Sequence, residues 1–177
     1  VTEPSAAAAV PPAHEPLRLP HLSQAGDALM VDVTAKQPSV REASAVAQVV
    51  CSPAIMQALR DGTVPKGDVL AVARVAGIQA AKHTPDLLPL AHVIGVHGAR
   101  VDVHLEPDHI SVSATVRTAD RTGVEMEALT AVVVACLAVV DMVKGVDRTA
   151  MIREAKIVHK SGGRSGEWTR PEDPAGH

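Results

Sequence analysis

An α+β fold, with helices packed on one face of an antiparallel sheet, is predicted by three observations on this sequence. The stretch "ARVDVHLEPDHISVSATVRTAD" alternates strictly: Val101, Val103 and Leu105 share one face, and Ile110, Val112, Ala114 and Val116 share one after the turn at Pro107-Asp108. Residues 122 to 147, "TGVEMEALTAVVVACLAVVDMVKGVD", read as a nearly all-apolar helix. The elements follow in the order β, helices, β, β, α, β, which is the split βαβ order of ferredoxin-like domains. A chain of 177 residues suits one domain, and its 46% hydrophobic content is enough to bury a core.

The N-terminal segment "VTEPSAAAAVPPAHEPLRLPHL" is rich in Ala and Pro and lacks the basic start and apolar run of a signal peptide. Residues 1–28 are therefore expected to be a disordered tail, 29–168 a single α+β domain, and 169–177 a flexible C-terminal tail. In "MVDVTAKQPSVREASAVAQVVCS" the alternating Val positions after Pro38 predict a first strand over 40–51. "SPAIMQALRDG" offers Ser52 as N-cap, Pro53 at the first helical position and Gly62 as terminator, so a short helix follows. A second helix over 67–82 is indicated by Val69, Val72, Ala73, Ala76 and Ala80 on one helical face, ended by Thr84-Pro85. After the two central strands and the long apolar helix, "TAMIREAKIVHKSG" supplies a last strand.

Composition narrows the partners. A formal charge of -3, with no Phe or Tyr and one Trp, supplies neither a basic footprint nor stacking platforms for nucleic acid. Cys51 and Cys136 lie far apart in apolar surroundings with no CxxC partner, which favours a reduced, cytoplasmic protein. The apolar run from Ala128 to Val140 falls short of the roughly 20 residues of a membrane span and reads as a buried helix.

Few residues remain for chemistry. Thr122 and Glu125 have the spacing of a capping box, in which hydroxyl and carboxylate satisfy orphan backbone donors. Glu127 has no capping duty, and is either a carboxylate favoured by the helix dipole or a functional group. Asp141 and Lys144 stand at i and i+3, an ion pair that suits a solvated helix end as well as an active site. Lys66 precedes a helix start, with Asp68 available as its cap; it is an ordinary surface lysine or an anion-gathering one. His92 sits among apolar residues, as core histidines do, and His97 has no ligand cluster around it, so no metal site is expected. "HKSGGRSGEW" combines Lys160 and Arg164 with glycines able to wrap phosphate oxygens, although without Walker spacing, and a flexible extension is the plain alternative.

Taken together, "MVDV", "VREA", "KGDV", "AGIQAAK", "DLLPLAH", "TGVEMEALTA", "DMVKG" and "KSGGRSG" resemble the cyclic pyranopterin monophosphate synthases, the molybdenum cofactor biosynthesis protein C family, over roughly residues 30 to 168. The resemblance implies a ferredoxin-like subunit in a homo-hexamer built as a trimer of dimers, with the active site at a subunit interface. It implies a nucleotide-derived triphosphate as substrate, (8S)-3',8-cyclo-7,8-dihydroguanosine 5'-triphosphate, converted to cyclic pyranopterin monophosphate and diphosphate. No cofactor is required, and a divalent cation can accompany the triphosphate. The family's catalytic aspartate falls on Asp141 and its essential lysines on Lys66 and Lys144. Its substrate-contacting residues fall on Leu90, Ala91 and His92, and on Met126 and Glu127 beside Glu125. Arg41, Lys160 and Arg164 match further basic positions of the site. The family usually reads Leu-Cys-His-Pro where this chain has Leu90-Ala91-His92-Val93, and Lys where it has Arg164.

Such a reaction needs proton delivery to ring nitrogens and removal from hydroxyls, for which Lys66, Lys144 and Asp141 have suitable chemistry. It also needs cations against the departing diphosphate. Glu127 and Asp141 are separated by roughly 21 Å along a helix rising 1.5 Å per residue, too far to touch one small ligand within one chain. Lys66 and Glu127 of one chain are therefore expected to share a site with Asp141 of a two-fold partner. A non-catalytic ferredoxin-like module binding a phosphorylated small molecule would use Lys160, Arg164 and the glycines, but has no need of Asp141 beside Lys144.

Overall fold

The computed structural model describes residues 25–171. The chain divides between Val31 and Asp32 into two units. Of the first, residues 25–31 are described, a short turn followed by irregular chain with a single bridge residue at Ala28. Most of the stretch expected to be an N-terminal tail, and residues 172–177, lie outside the described residues. All further description concerns the second unit.

Five strands form one antiparallel sheet: β1 (Ser39–Val50), β2 (Gly98–Leu105), β3 (Ile110–Asp120), β4 (Met151–Ser161) and β5 (Trp168–Thr169). Their order is β2-β3-β1-β4-β5, so the first strand lies at the centre. Register follows the alternation in the sequence: Ala45 faces Ala114 and Val49 faces Ile110 across β1 and β3. Helices α1 (Pro53–Arg60), α2 (Val69–Lys82), α3 (Thr84–Leu87) and α4 (Glu125–Val143) complete the domain, with α2 and α4 packed on each other and on the sheet. The one-turn α3 and the two-residue β5, which pairs with His159 and Lys160, are additions to the elements the sequence predicts.

With no Phe or Tyr available, the core is built from Val and Ala, and small side chains let backbones approach closely. The inward residues of β1 are Ala43, Ala45, Ala47 and Val49, and α4 answers with Ala128, Ala131, Val132 and Ala135, all buried. At Gly77 of α2 an added Cβ would lie 2.8 Å from the Ala131 carbonyl, so α2 crosses α4 at backbone contact distance. α4 is long and apolar enough, by length and composition, to cross a membrane, yet half of its apolar window is already buried inside the fold. Packing against α2 and the sheet accounts for its hydrophobicity.

Two local expectations hold and one does not. Asp68 caps α2, its carboxylate accepting from the Ala71 amide at 2.9 Å. Pro53 occupies the start of α1, with Ser52 at the cap position, although the Ser52 side chain makes no cap hydrogen bond. The capping box at Thr122 and Glu125 does not form: α4 is capped by Val124 without any side-chain bond. The Glu125 carboxylate instead accepts from Lys160 Nζ of β4 at 2.9 Å, because a full charge competes for it more strongly than a backbone amide.

Candidate active site

Charged residues gather at both ends of α4. At its C-terminal end, Lys144 Nζ donates to Asp141 Oδ1, and Lys66 Nζ donates to the Asp141 backbone carbonyl at 2.9 Å. Lys66 arrives from the loop between α1 and α2. The Lys144 hydrogen bond, then the charges of Lys144 and Lys66, hold the Asp141 carboxyl below the usual carboxylate range. Both partners of the Asp141–Lys144 pair are well exposed, so the pair contributes little to folding. It leaves two ammonium groups and a carboxylate in reach of a ligand.

This arrangement corrects one expectation. Lys66 was expected beside Glu127, with Asp141 supplied by a partner; the fold places Lys66 on Asp141 of its own chain. The loop after α1 meets the end of α4 through this hydrogen bond, whereas Glu127 lies roughly 21 Å away along the helix.

At the N-terminal end of α4, Glu127 is only 3% exposed. Burial pushes its carboxyl up from an ordinary 4.5 to about 7, with the neighbouring Glu125 charge adding to the rise and His92 opposing it. His92 belongs to the irregular segment between α3 and β2 and comes near enough to Glu127 for its charge to be felt; of its neighbours in that segment, Leu90 is exposed and Ala91, like His92, half-buried. Met126 points outward, 42% exposed. The Glu125–Lys160 ion pair is half-buried on both sides and joins α4 to β4.

Beyond it lies a cleft of about 700 Å³ whose lining includes Lys36, Ser39, Arg41, Gly163, Arg164 and Ser165. Arg41 is fixed by donating to the Asp120 and Arg121 carbonyls at 2.9 and 3.2 Å. Arg121 in turn donates to the Lys36 carbonyl at 3.0 Å, which ties the segment before β1 to the end of β3. The glycine loop is shaped to Arg41. Gly162 and Gly163 have φ of +88° and +69°, and a Cβ on either would collide, with the Val40 carbonyl and the Arg41 guanidinium respectively. Ser39 contributes a buried hydroxyl that has no hydrogen-bond partner. Three cations and an unsatisfied hydroxyl around a cleft are the donor set of a phosphate site.

Of the two expected phosphate ligands, Arg164 lines this cleft, while Lys160 is engaged with Glu125; Arg41, expected only as a further basic position of the site, lines the cleft as well. Lys36 and Ser39 were not singled out in the sequence. Their only signal was position: they stand five and two residues before Arg41, on the approach to the first strand. Among the described residues no group of three His, Cys, Asp or Glu side chains is placed to hold a metal ion.

Comparison with known proteins gives a consistent result. The MoaC family model matches residues 30–163. A protein of Streptomyces coelicolor called cyclic pyranopterin monophosphate synthase is 54% identical over 153 residues, 86% of this chain and 90% of that protein. Proteins of the same name from a Nocardioides species and from Geobacter metallireducens are 51% and 50% identical, each covering 88% of this chain and 98% of the relative.

Proposed function

The chain belongs to the MoaC family, and on that premise we propose that it converts (8S)-3',8-cyclo-7,8-dihydroguanosine 5'-triphosphate into cyclic pyranopterin monophosphate and diphosphate, a lyase step of molybdenum cofactor biosynthesis. The observation that carries the chemical side is Asp141 held between Lys66 and Lys144. Ring opening, pterin closure and formation of the cyclic phosphate are redox-neutral, so positioned proton donors and acceptors with charge stabilisation suffice. The two ammonium groups donate protons and Asp141, an anion at neutral pH, accepts one or orients a lysine. Glu127, half-protonated near pH 7, is suited to exchange a proton with the bound heterocycle beside His92.

The cleft at Lys36, Arg41 and Arg164 receives the triphosphate, and its cations take up the charge of the departing diphosphate. No cofactor is required for this chemistry; a divalent cation enters bound to the triphosphate. The protein works in the cytoplasm, in keeping with its two free, buried cysteines.

A complete site needs both ends of α4, and the helix carries the means of bringing them together. Met126, Thr130, Val133, Leu137 and Val140 form an uncharged stripe at alternating spacings of four and three, with Leu137 52% exposed. Antiparallel pairing of this stripe with that of a second copy, about a two-fold near its middle, sets Glu127 of one chain level with Asp141 of the other. Each dimer then has two equivalent sites. Assembly of three such dimers into a hexamer follows from the family resemblance.

The test is incubation of the purified protein with the cyclised GTP intermediate and detection of the pterin and diphosphate by mass. Lys66→Ala and Asp141→Asn are each expected to lower turnover at least about a hundredfold, the scale of losing a general acid or base, with folding unchanged. Tight binding of the intermediate without product would leave a phosphate-binding module and sink the enzymatic reading.

A further inference from the structure

We propose that Asp147 is a positioning residue for the Lys66–Asp141–Lys144 cluster, its carboxylate locking the start of α1 to the turn that ends α4. This rests on the reading of that cluster as the proton-transfer centre. Asp147 is 5% exposed, an unusual place for a carboxylate. Oδ2 accepts the Ser52 amide at 2.6 Å, and Oδ1 accepts the Thr149 amide at 2.9 Å and the Thr149 hydroxyl at 2.6 Å. These bonds, foremost the Ser52 amide, hold its carboxyl at about 2, so it is an anion at any working pH.

The position of this clamp gives it leverage. From Lys144 to Thr149 every other residue is exposed, so side-chain burial anchors the turn only at Asp147. The Val143 carbonyl accepts both the Val146 and the Asp147 amides at 2.9 Å, so the turn grows directly out of the last residue of α4. Lys144 sits inside that turn. On the other side, Ser52 opens α1, and α1 leads into the loop that delivers Lys66. Asp147 thus bridges the two elements whose side chains must meet, without touching the cluster itself.

Its chemistry also demands a carboxylate. All three partners are donors, so an amide in the same place would turn an NH₂ toward the Ser52 amide or toward Thr149. Asp147→Asn keeps size and shape while breaking one arm of the clamp. Misplacement of a reacting group by about an ångström can cost on the order of a hundredfold in rate.

The experiment compares Asp147→Asn and Thr149→Val in the full chain, measuring kcat on the cyclised intermediate, Kd for GTP by calorimetry and thermal stability. Thr149 is exposed, so losing its hydroxyl leaves the fold intact even if Asp147→Asn folds poorly. Expected are kcat losses of about tenfold or more for Asp147→Asn and about threefold for Thr149→Val, with GTP affinity changed less than about threefold, because none of the clamp's partners lines the phosphate cleft. Added to a variant lacking all three groups (Lys66→Ala, Asp141→Asn and Lys144→Ala), either change should alter the residual single-turnover rate less than about twofold, since a residue that acts only through the cluster has nothing left to position. Normal kcat in Thr149→Val and in folded Asp147→Asn, beside an inactive Asp141→Asn, overturns the role of Asp147 alone. A further loss of the same size in the background lacking all three groups also overturns it. Full turnover in Asp141→Asn itself removes the reading of the cluster.

Discussion

Glu127 is a buried carboxyl whose folded-state value of about 7 lies above its ordinary 4.5, so the native protein keeps a proton that the unfolded chain has released. Stability from this group is therefore full below about pH 4.5, falls as pH rises toward 7, and is level above that; the loss is on the order of 3 kcal/mol. Glu127→Gln, which is neutral throughout, is expected to melt above wild type at pH 8 and close to it at pH 4.5, while losing activity. A melting shift of equal size at both pH values would mean that Glu127 is not protonated in the fold. Glu154 stores a smaller strain: it has φ +59° within β4, close to the register irregularities against β1. Its contacts to Arg153 and Lys156 are partly exposed and contribute little. Glu154→Gly should stabilise by about 1 kcal/mol in denaturant titration. Neither feature was legible as a number or an angle in the sequence, though the suspicion that Glu127 is more than a helix-end charge came from its place beyond any cap. The residue types of the lysine and aspartate cluster were equally legible. That Lys66 lands on Asp141 was not, since the two are 75 positions apart.

At the level of elements, periodicity sufficed wherever one face of a strand or helix is buried. β2, β3 and α2 end within a few residues of where alternation and helical spacing place them. It failed where a distant partner outcompetes local chemistry: Lys160 of β4 takes the Glu125 carboxylate from the expected capping box. α4 packs where it does because a core of Val and Ala lets helices approach to backbone contact, and Gly77 is the narrowest point. Gly77→Ala would raise intrinsic helix propensity by about 1 kcal/mol. It should nonetheless destabilise by about 1–3 kcal/mol, because the new methyl meets the Ala131 carbonyl at 2.8 Å and a backbone cannot step aside cheaply. A variant that unfolds at higher denaturant than wild type would contradict this packing. Gly163→Ala presses instead on the guanidinium of Arg41 and adds backbone strain at φ +69° of about 1 kcal/mol, so beyond that stability loss its effect falls on binding. KM for the triphosphate substrate is expected to rise about tenfold, with kcat at saturation nearly kept, the pattern of lost uniform binding.

The whole molecule is organised by one helix whose two ends carry different chemistry. Their separation of roughly 21 Å is what the proposed dimer answers, in which the uncharged stripe between them pairs with that of a second copy and each site takes one end from each chain. Since Lys66, Asp141 and Lys144 share one end, lesions in Lys66→Ala and Asp141→Asn fall on the same half-site. Mixing those two inactive proteins should restore nothing, because every site in a mixed dimer then holds one damaged lysine–aspartate end. Lys66→Ala and Glu127→Gln damage opposite ends. In their mixed dimer one site carries both lesions and the other carries neither. With random pairing half the dimers are mixed, so about a quarter of all sites are intact and about that fraction of wild-type turnover should return. Subunit exchange is followed independently, with one variant carrying a mass label. Recovery with the first pair would show that Lys66 and Asp141 serve different sites, against their pairing within one chain; none with the second, despite demonstrated exchange, would show that the two ends of α4 do not meet across a two-fold.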